Sequence, residues 1–151
     1  MSEVLLLSIK PKYVEKILSG EKRVELRRRK PRSLPGDWLA IYESAPTMAL
    51  VAITQIAEVR VNSPQCLWRS VGPVSGITKG EFDEYFAGTD RAVGIAIKST
   101  RELATPIPLA DLRSAWPRFH PPQGFIYLSD SHRQFVLDRA GSFNSQQKDA
   151  A

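Results

Sequence analysis

In the stretch Lys22-Arg23-Val24-Glu25-Leu26-Arg27, charged and apolar residues alternate. Successive side chains of an extended chain point to opposite faces, so Arg23, Glu25 and Arg27 share one face and Val24 and Leu26 the other. A wholly charged face has two fates. Water solvates it, as on an edge strand whose charges protect it from aggregation, or the protein encloses it around something polar. On the second reading the flanking arginines hold and orient Glu25, and Lys22, at the start of the strand, is free to reach the same space. That makes a preorganised cleft in which Lys22 or Glu25 is the group to handle a proton. Neighbouring arginines lower the pKa of Lys22 and Glu25 opposes them, so the balance is open at this level.

The charge around this stretch is local. From Lys10 to Arg32 there are ten basic residues (Lys10, Lys12, Lys16, Lys22, Arg23, Arg27, Arg28, Arg29, Lys30, Arg32) against three acidic ones (Glu15, Glu21, Glu25), a segment charge of +7. The whole chain carries +5, so everything outside the segment sums to −2. An anionic partner near this segment is the simplest inference.

Other chemistry has little support. With His120, His132 and Cys66 as the whole His and Cys complement, neither a His/Cys metal cage nor a cysteine–histidine pair has a spacing to rest on, and no metal or cofactor is expected. There is no serine-hydrolase elbow, Gly-rich phosphate loop or dinucleotide fingerprint. Glu81, Asp83 and Glu84 read better as acids in the first turn of a helix, favoured by its dipole, than as metal ligands. Tyr85 and Phe86 could stack on a base, but aromatics at helical spacing are assigned to the core.

The elements that must position the cleft are legible in outline. Glu3 to Ile9 reads as a buried strand, and Pro11 opens a helix whose apolar face is Tyr13, Val14, Ile17 and Leu18, closed by Gly20. Lys22 to Arg28 is the second strand, and Arg29 to Pro35 a loop. Further strands are expected at Trp38 to Glu43, Ala49 to Val61, Arg91 to Lys98 and Gly124 to Leu128. Thr78-Lys79-Gly80-Glu81 has capping-box spacing for a helix reaching Gly88, and a last helix runs from Ser131 to Ala140. Strands mixed with short helices, without regular alternation, indicate an α+β fold: five to six strands in a curled sheet or small barrel.

The chain has 151 residues, 42% of them hydrophobic and 25% charged, enough for one domain with its own core, placed at 1–141 with a disordered tail over 142–151. The run Val4 to Ile9 is too short for a signal or a membrane span, and Cys66 is alone, so a reducing, cytoplasmic location without membrane contact is expected.

Several motifs in order resemble the ASCH domains of the PUA-like superfamily, from about Leu5 to about Leu128. They are Leu7-Ser8-Ile9-Lys10-Pro11, Ile17-Leu18-Ser19-Gly20-Glu21-Lys22, Glu25-Leu26-Arg27 and Pro35-Gly36-Asp37. Phe82-Asp83-Glu84-Tyr85-Phe86 and Pro121-Pro122-Gln123-Gly124-Phe125 are similar to later segments of one ASCH subgroup. The resemblance implies a PUA-like small β-barrel with framing helices and a role in binding RNA, single-stranded nucleic acid or a modified nucleoside. Ser8, Lys10, Lys12, Arg27, Arg28, Arg29 and Gln123 are then the nucleic-acid contacts, and Lys22 and Glu25 the candidate catalytic pair. The alternative it implies is a metal-dependent or lysine-assisted hydrolase, either a ribonuclease on single-stranded RNA or an amidohydrolase on acetylated cytidine. In the latter the family pairs a lysine, here Lys22, with a threonine three residues on. That position is Glu25, so the acetylcytidine chemistry does not carry over whole: a glutamate there could act as a base or clamp the amino edge of a nucleobase.

Overall fold

The computed structural model describes residues 2–150, with their side chains from 2 to 140. The last helix runs on past Gly141, where its stop was expected, to Ala150, while the side chains of 141–150, in the stretch where a disordered tail was expected over 142–151, lie outside the described residues.

Strand β1 (Val4–Ile9) is apolar at nearly every position because both of its faces are covered. Val4 and Leu6 enter one core cluster, and Leu5, Leu7 and Ile9 another. It pairs parallel with β3 (Trp38–Glu43) and antiparallel with β7 (Phe125–Tyr127). A strand buried on two sides needs no alternation, which explains the continuous run. Helix α1 (Pro11–Ser19) follows with Pro11 in its first turn, buries Val14 and Ile17, and ends where Gly20, at φ 85°, donates its N–H to the Ile17 carbonyl. Only a residue without a Cβ takes that conformation without strain.

The short strand β2 (Val24–Arg27) is an edge, paired antiparallel with β5 (Ala92–Ile97). The long strand β4 (Ala49–Asn62) joins the two halves of the molecule: its first half pairs β3, its second half β5, and the register slips between Ile56 and Glu58. Such an irregularity lets one strand turn from one part of a sheet into another. The order is β2-β5-β4-β3-β1-β7, with β6 (Arg101–Pro108) added to β4, a curled α+β sheet as expected. Among the described residues seven strands pair rather than five or six. The unread strand is β6, whose Pro106 and Pro108 argue against a central strand and are tolerated because it pairs only with β4.

Two short helices were also not legible. Helix α2 (Pro64–Val71) is capped by the Ser63 hydroxyl, which accepts from the Cys66 N–H at 3.2 Å, and buries only Leu67 and Val71. Helix α4 (Leu109–Ala115) has no side-chain cap and buries Leu109 and Leu112. Helix α3 (Lys79–Tyr85) carries the full capping box between Thr78 and Glu81, as its spacing predicts. Against the outer face of the sheet, α4 and the last helix, α5 (Asp130–Ala150), enclose Trp116, Phe119 and Val136. Helices α2 and α3 cover Val24 and Leu26 with Leu67, Phe82 and Phe86, and full burial of a side chain such as Phe82 contributes about 1.5–3 kcal/mol. Seating Val24 and Leu26 there turns the other face of β2 toward the end of β1.

Candidate functional site

Between the C-terminal end of β1, the start of α1, the strand β2 and helix α3 lies a cavity of about 290 Å³. Its floor is the charged face of β2. Glu25 is 8% exposed, and Arg27 is largely covered, its Nη2 donating to the Ser8 carbonyl at 3.2 Å. Arg27 Nε lies 3.8 Å from Glu25 Oε1, which accepts the Leu26 N–H at 3.1 Å. Three buried polar atoms around this floor have no partner: Ser8 Oγ, Glu25 Oε2 and Arg27 Nε. Buried polar atoms are almost always paired, and an unpaired one costs about 1–3 kcal/mol, so three together are an unusual concentration of unmet hydrogen-bonding capacity at this floor.

Lys22 reaches the same space, as the sequence reading has it, but its side chain is held in place rather than free. Lys22 is 2% exposed and its Nζ donates to the Ser75 carbonyl at 2.6 Å, with the Tyr13 ring 5.5 Å away. The clamp depends on Gly76: at φ +71° its backbone passes so close that a Cβ would stand 2.8 Å from Lys22 Cβ. Burial is the main cause that holds the Lys22 ammonium below the ordinary lysine range. Glu25 opposes the shift, while Arg27 and Lys16 add to it. The balance left open by the sequence is thus decided by desolvation, which disfavours the charged form.

Of the residues assigned from the sequence, the fold brings Ser8, Lys10, Lys22, Glu25, Arg27 and Gln123 around the cavity. It leaves three others outside it. Lys12 is exposed, with Nζ 3.7 Å from Glu81 Oε2. Arg28 is exposed and donates to the Tyr85 carbonyl at 3.1 Å, holding the end of α3. Arg29 lies over the Phe125 ring at 5.5 Å. Arg23, expected to flank Glu25, is exposed and does not line the cavity, so Arg27 alone of the two arginines braces the carboxylate.

Three wall residues were missed. Tyr85, assigned to the core, is 40% exposed and lines the cavity, whereas its neighbour Phe86 is buried as expected. Burial of its hydroxyl raises the Tyr85 pKa above the ordinary tyrosine range. Tyr13, read as one of the apolar face of α1, donates its hydroxyl to Glu81 Oε2 at 3.4 Å and stands in the wall. Glu81 closes the capping box with one oxygen and receives Tyr13 with the other. The signal for all three was weak, because a helical period says which residues turn inward but not whether they meet a core or a cavity. Among the described residues no three His, Cys, Asp or Glu side chains are grouped to hold a metal ion.

A model of the ASCH domain matches residues 7–107. The chain belongs to the ASCH domain family. It is 26% identical over 131 residues to an ASCH domain-containing ribonuclease of Zymomonas mobilis, covering 87% of this chain and 88% of that protein. It is also 26% identical over 128 residues to large ribosomal subunit protein uL22 of Ureaplasma parvum; the match takes in 84% of this chain and spans 40% of that protein's length. The crystal structure of ASCH from Zymomonas mobilis superposes with a TM-score of 0.84 at 24% identity, covering 89% of this chain and 94% of that one. The N-terminal domain of Staphylothermus marinus McrB shares the fold at a TM-score of 0.59 and 11% identity, over 92% of this chain and 95% of that domain. Shared fold alone carries no activity. In this ASCH domain, the sequence motifs at Ser8 to Lys10, Lys22 to Arg27 and Gln123 converge on one cavity although more than 90 residues separate Arg27 from Gln123.

Proposed function

We propose that this ASCH domain binds single-stranded RNA, taking one nucleotide into the cavity while the strand on either side runs past Lys10, Lys12, Arg28 and Arg29. The observation that supports this most is the group of unpartnered buried atoms on Ser8, Glu25 and Arg27, which a polar ligand would satisfy. A cavity of about 290 Å³ stands at the small end of ligand sites, roughly 300–1,000 Å³, and so suits one nucleotide rather than several. RNA is read in this way, with an unstacked base between aromatic side chains and hydrogen bonds to its edge, and Tyr13 and Tyr85 supply the aromatic walls. The test is a titration of a short single-stranded RNA at increasing salt. Four exposed cations on the strand predict a log–log slope of about −3, at about 0.7 per phosphate contact. Affinity indifferent to salt overturns the reading.

Lys22 favours a second step on the same substrate, cleavage of the strand. Burial lowers the pKa of the Lys22 amine, so at any given pH more of it is neutral and able to accept a proton than of an ordinary lysine. The neutral fraction of Lys22 then accepts the proton of a ribose 2′-hydroxyl, the oxygen attacks the adjacent phosphorus to close a 2′,3′-cyclic phosphate, and the bond to the 5′-oxygen breaks as that oxygen takes up a proton from water. The relative named as a ribonuclease agrees with this outcome. Incubation with single-stranded RNA and with the DNA of the same sequence decides it: cleavage of both removes the 2′-hydroxyl from the reaction. Release of acetate from acetylated cytidine, with RNA left intact, would assign the site to the amidohydrolase alternative instead.

A further inference from the structure

Resting on the reading of the cavity as a nucleotide pocket, we infer that the base it selects is guanine. Glu25 and Arg27 lie side by side in the lining of the pocket, and three of their polar atoms bear on what it can hold. Glu25 Oε2 has no partner. Glu25 Oε1 accepts one N–H, from Leu26 at 3.1 Å, and a carboxylate oxygen has room for a second donor. Arg27 Nε, 3.8 Å from Oε1, is a donor without an acceptor. Neither side chain is free to swing away, because Leu26 holds the carboxylate and the Ser8 carbonyl takes Arg27 Nη2 at 3.2 Å. In order, the array is acceptor, acceptor, donor.

Among the four common bases one Watson–Crick edge complements that order. Guanine offers the N2 amino group, the N1–H and the O6 carbonyl: donor, donor, acceptor. Adenine offers one donor beside one acceptor, cytosine one donor followed by two acceptors, and uracil one N–H between two carbonyls. Each of these leaves at least one of the three buried atoms unpaired, and that desolvated remainder discriminates against the wrong base. The second carboxylate at the cavity does not compete for the role. The Glu81 oxygens are taken by the Thr78 N–H at 3.0 Å and the Tyr13 hydroxyl at 3.4 Å.

The experiment uses the wild-type chain and fluorescently labelled oligouridine carrying a single central guanosine, adenosine, cytidine or inosine, read by anisotropy at fixed salt. Guanosine is expected to bind about tenfold more tightly than adenosine or cytidine, as one bidentate base contact provides. Inosine, which lacks only the N2 amino group, should lose roughly tenfold against guanosine, the worth of one hydrogen bond to a charged acceptor. Equal affinity for guanosine and inosine, or for all four, overturns guanine selection while salt-dependent binding of every strand leaves the nucleotide pocket standing. Absence of binding to every strand removes the pocket reading itself. Guanosine monophosphate is run as a competitor: displacement at the oligonucleotide's own dissociation constant assigns the guanine to a free nucleotide rather than a strand. Glu25→Gln puts an amide donor where the array accepts. It should abolish the guanosine preference while retaining the salt slope, and a variant that keeps the preference overturns the assignment.

Discussion

Two stretches that adjoin in sequence and are alike in charge have opposite characters in the fold. From Lys22 to Arg27 the ionic side chains are enclosed, except for Arg23, and leave polar atoms unpaired. From Arg28 to Arg32 they lie on the surface against aromatic and backbone partners. Arg28 holds the end of α3, Arg29 covers Phe125, and Arg32 stands 3.9 Å over the Tyr127 ring, whose hydroxyl accepts the Arg32 N–H at 2.6 Å. The first stretch gives up stability at the floor of the cavity; the second is a screened surface, which under the proposed function attracts a strand and positions it. A local charge of +7 favours an anion near this segment, but burial decides which of its cations differ from ordinary surface charges.

The sharpest way to break this contrast is at Lys22. In Lys22→Met, which nearly keeps the length of the side chain and removes its charge, RNA cleavage is expected to fall at least about 100-fold, the scale of a lost general base, while stability is retained or raised because a buried ammonium is gone. A gel-based cleavage assay beside a denaturant melt separates the two, and loss of folding together with activity would make Lys22 a structural residue.

Gly76→Ala should come next. A Cβ at φ +71° would meet Lys22 Cβ at 2.8 Å, and the strain is expected to cost about 1–3 kcal/mol of unfolding free energy and to loosen the Lys22 clamp. An unchanged denaturation midpoint would show that the loop carrying Ser75 can move away freely.

The enclosed stretch also predicts a pH dependence. Because burial lowers the folded pKa of Lys22 below its unfolded value of 10.5, the folded state binds fewer protons there as pH rises. The penalty is full below the folded pKa and is relieved between the folded and the unfolded value. Stability should therefore increase with pH in that window, read below 10.0, where Tyr85 and Tyr42, both raised by burial, begin to act in the opposite sense. Lys22→Met should flatten the rise, and a wild-type profile as flat as that of the variant would contradict the clamp.

On the exposed stretch the effects should be smaller and more uniform. Arg29→Ala is expected to weaken every RNA sequence by a few-fold and to reduce the salt slope by about 0.7, without altering base preference. Arg23→Ala, on an exposed side chain outside the cavity, should stay within about 0.5 kcal/mol of wild type in stability. A selective loss at one base in either variant would move the boundary between the two regions.

Much of the frame was legible before any coordinates. The buried strand β1, its helix ended by Gly20, and the capping box of α3 follow from local rules, since each depends on side chains a few residues apart. Strand β6 and helices α2 and α4 did not, because two prolines and short, weakly capped segments hide elements that only pairing with β4 or packing on the sheet stabilises. The candidate site divides the same way. The period of two placed Glu25 and Arg27 on one face, yet the same rule placed Arg23 beside them, and the helical period sent Tyr85 to the core.

The sequence by itself determined the charge of the segment, the alternation of β2 and the motifs of an ASCH domain, all properties of neighbours along the chain. Tertiary structure alone decided that Lys22 is buried and held by Ser75, and that Tyr13, Tyr85 and Gln123 stand around one cavity. It also left Ser8 Oγ, Glu25 Oε2 and Arg27 Nε without partners. The reason is physical: desolvation and hydrogen-bond satisfaction depend on what packs against a group, and the residues that pack against these come from strands and helices far apart in the chain.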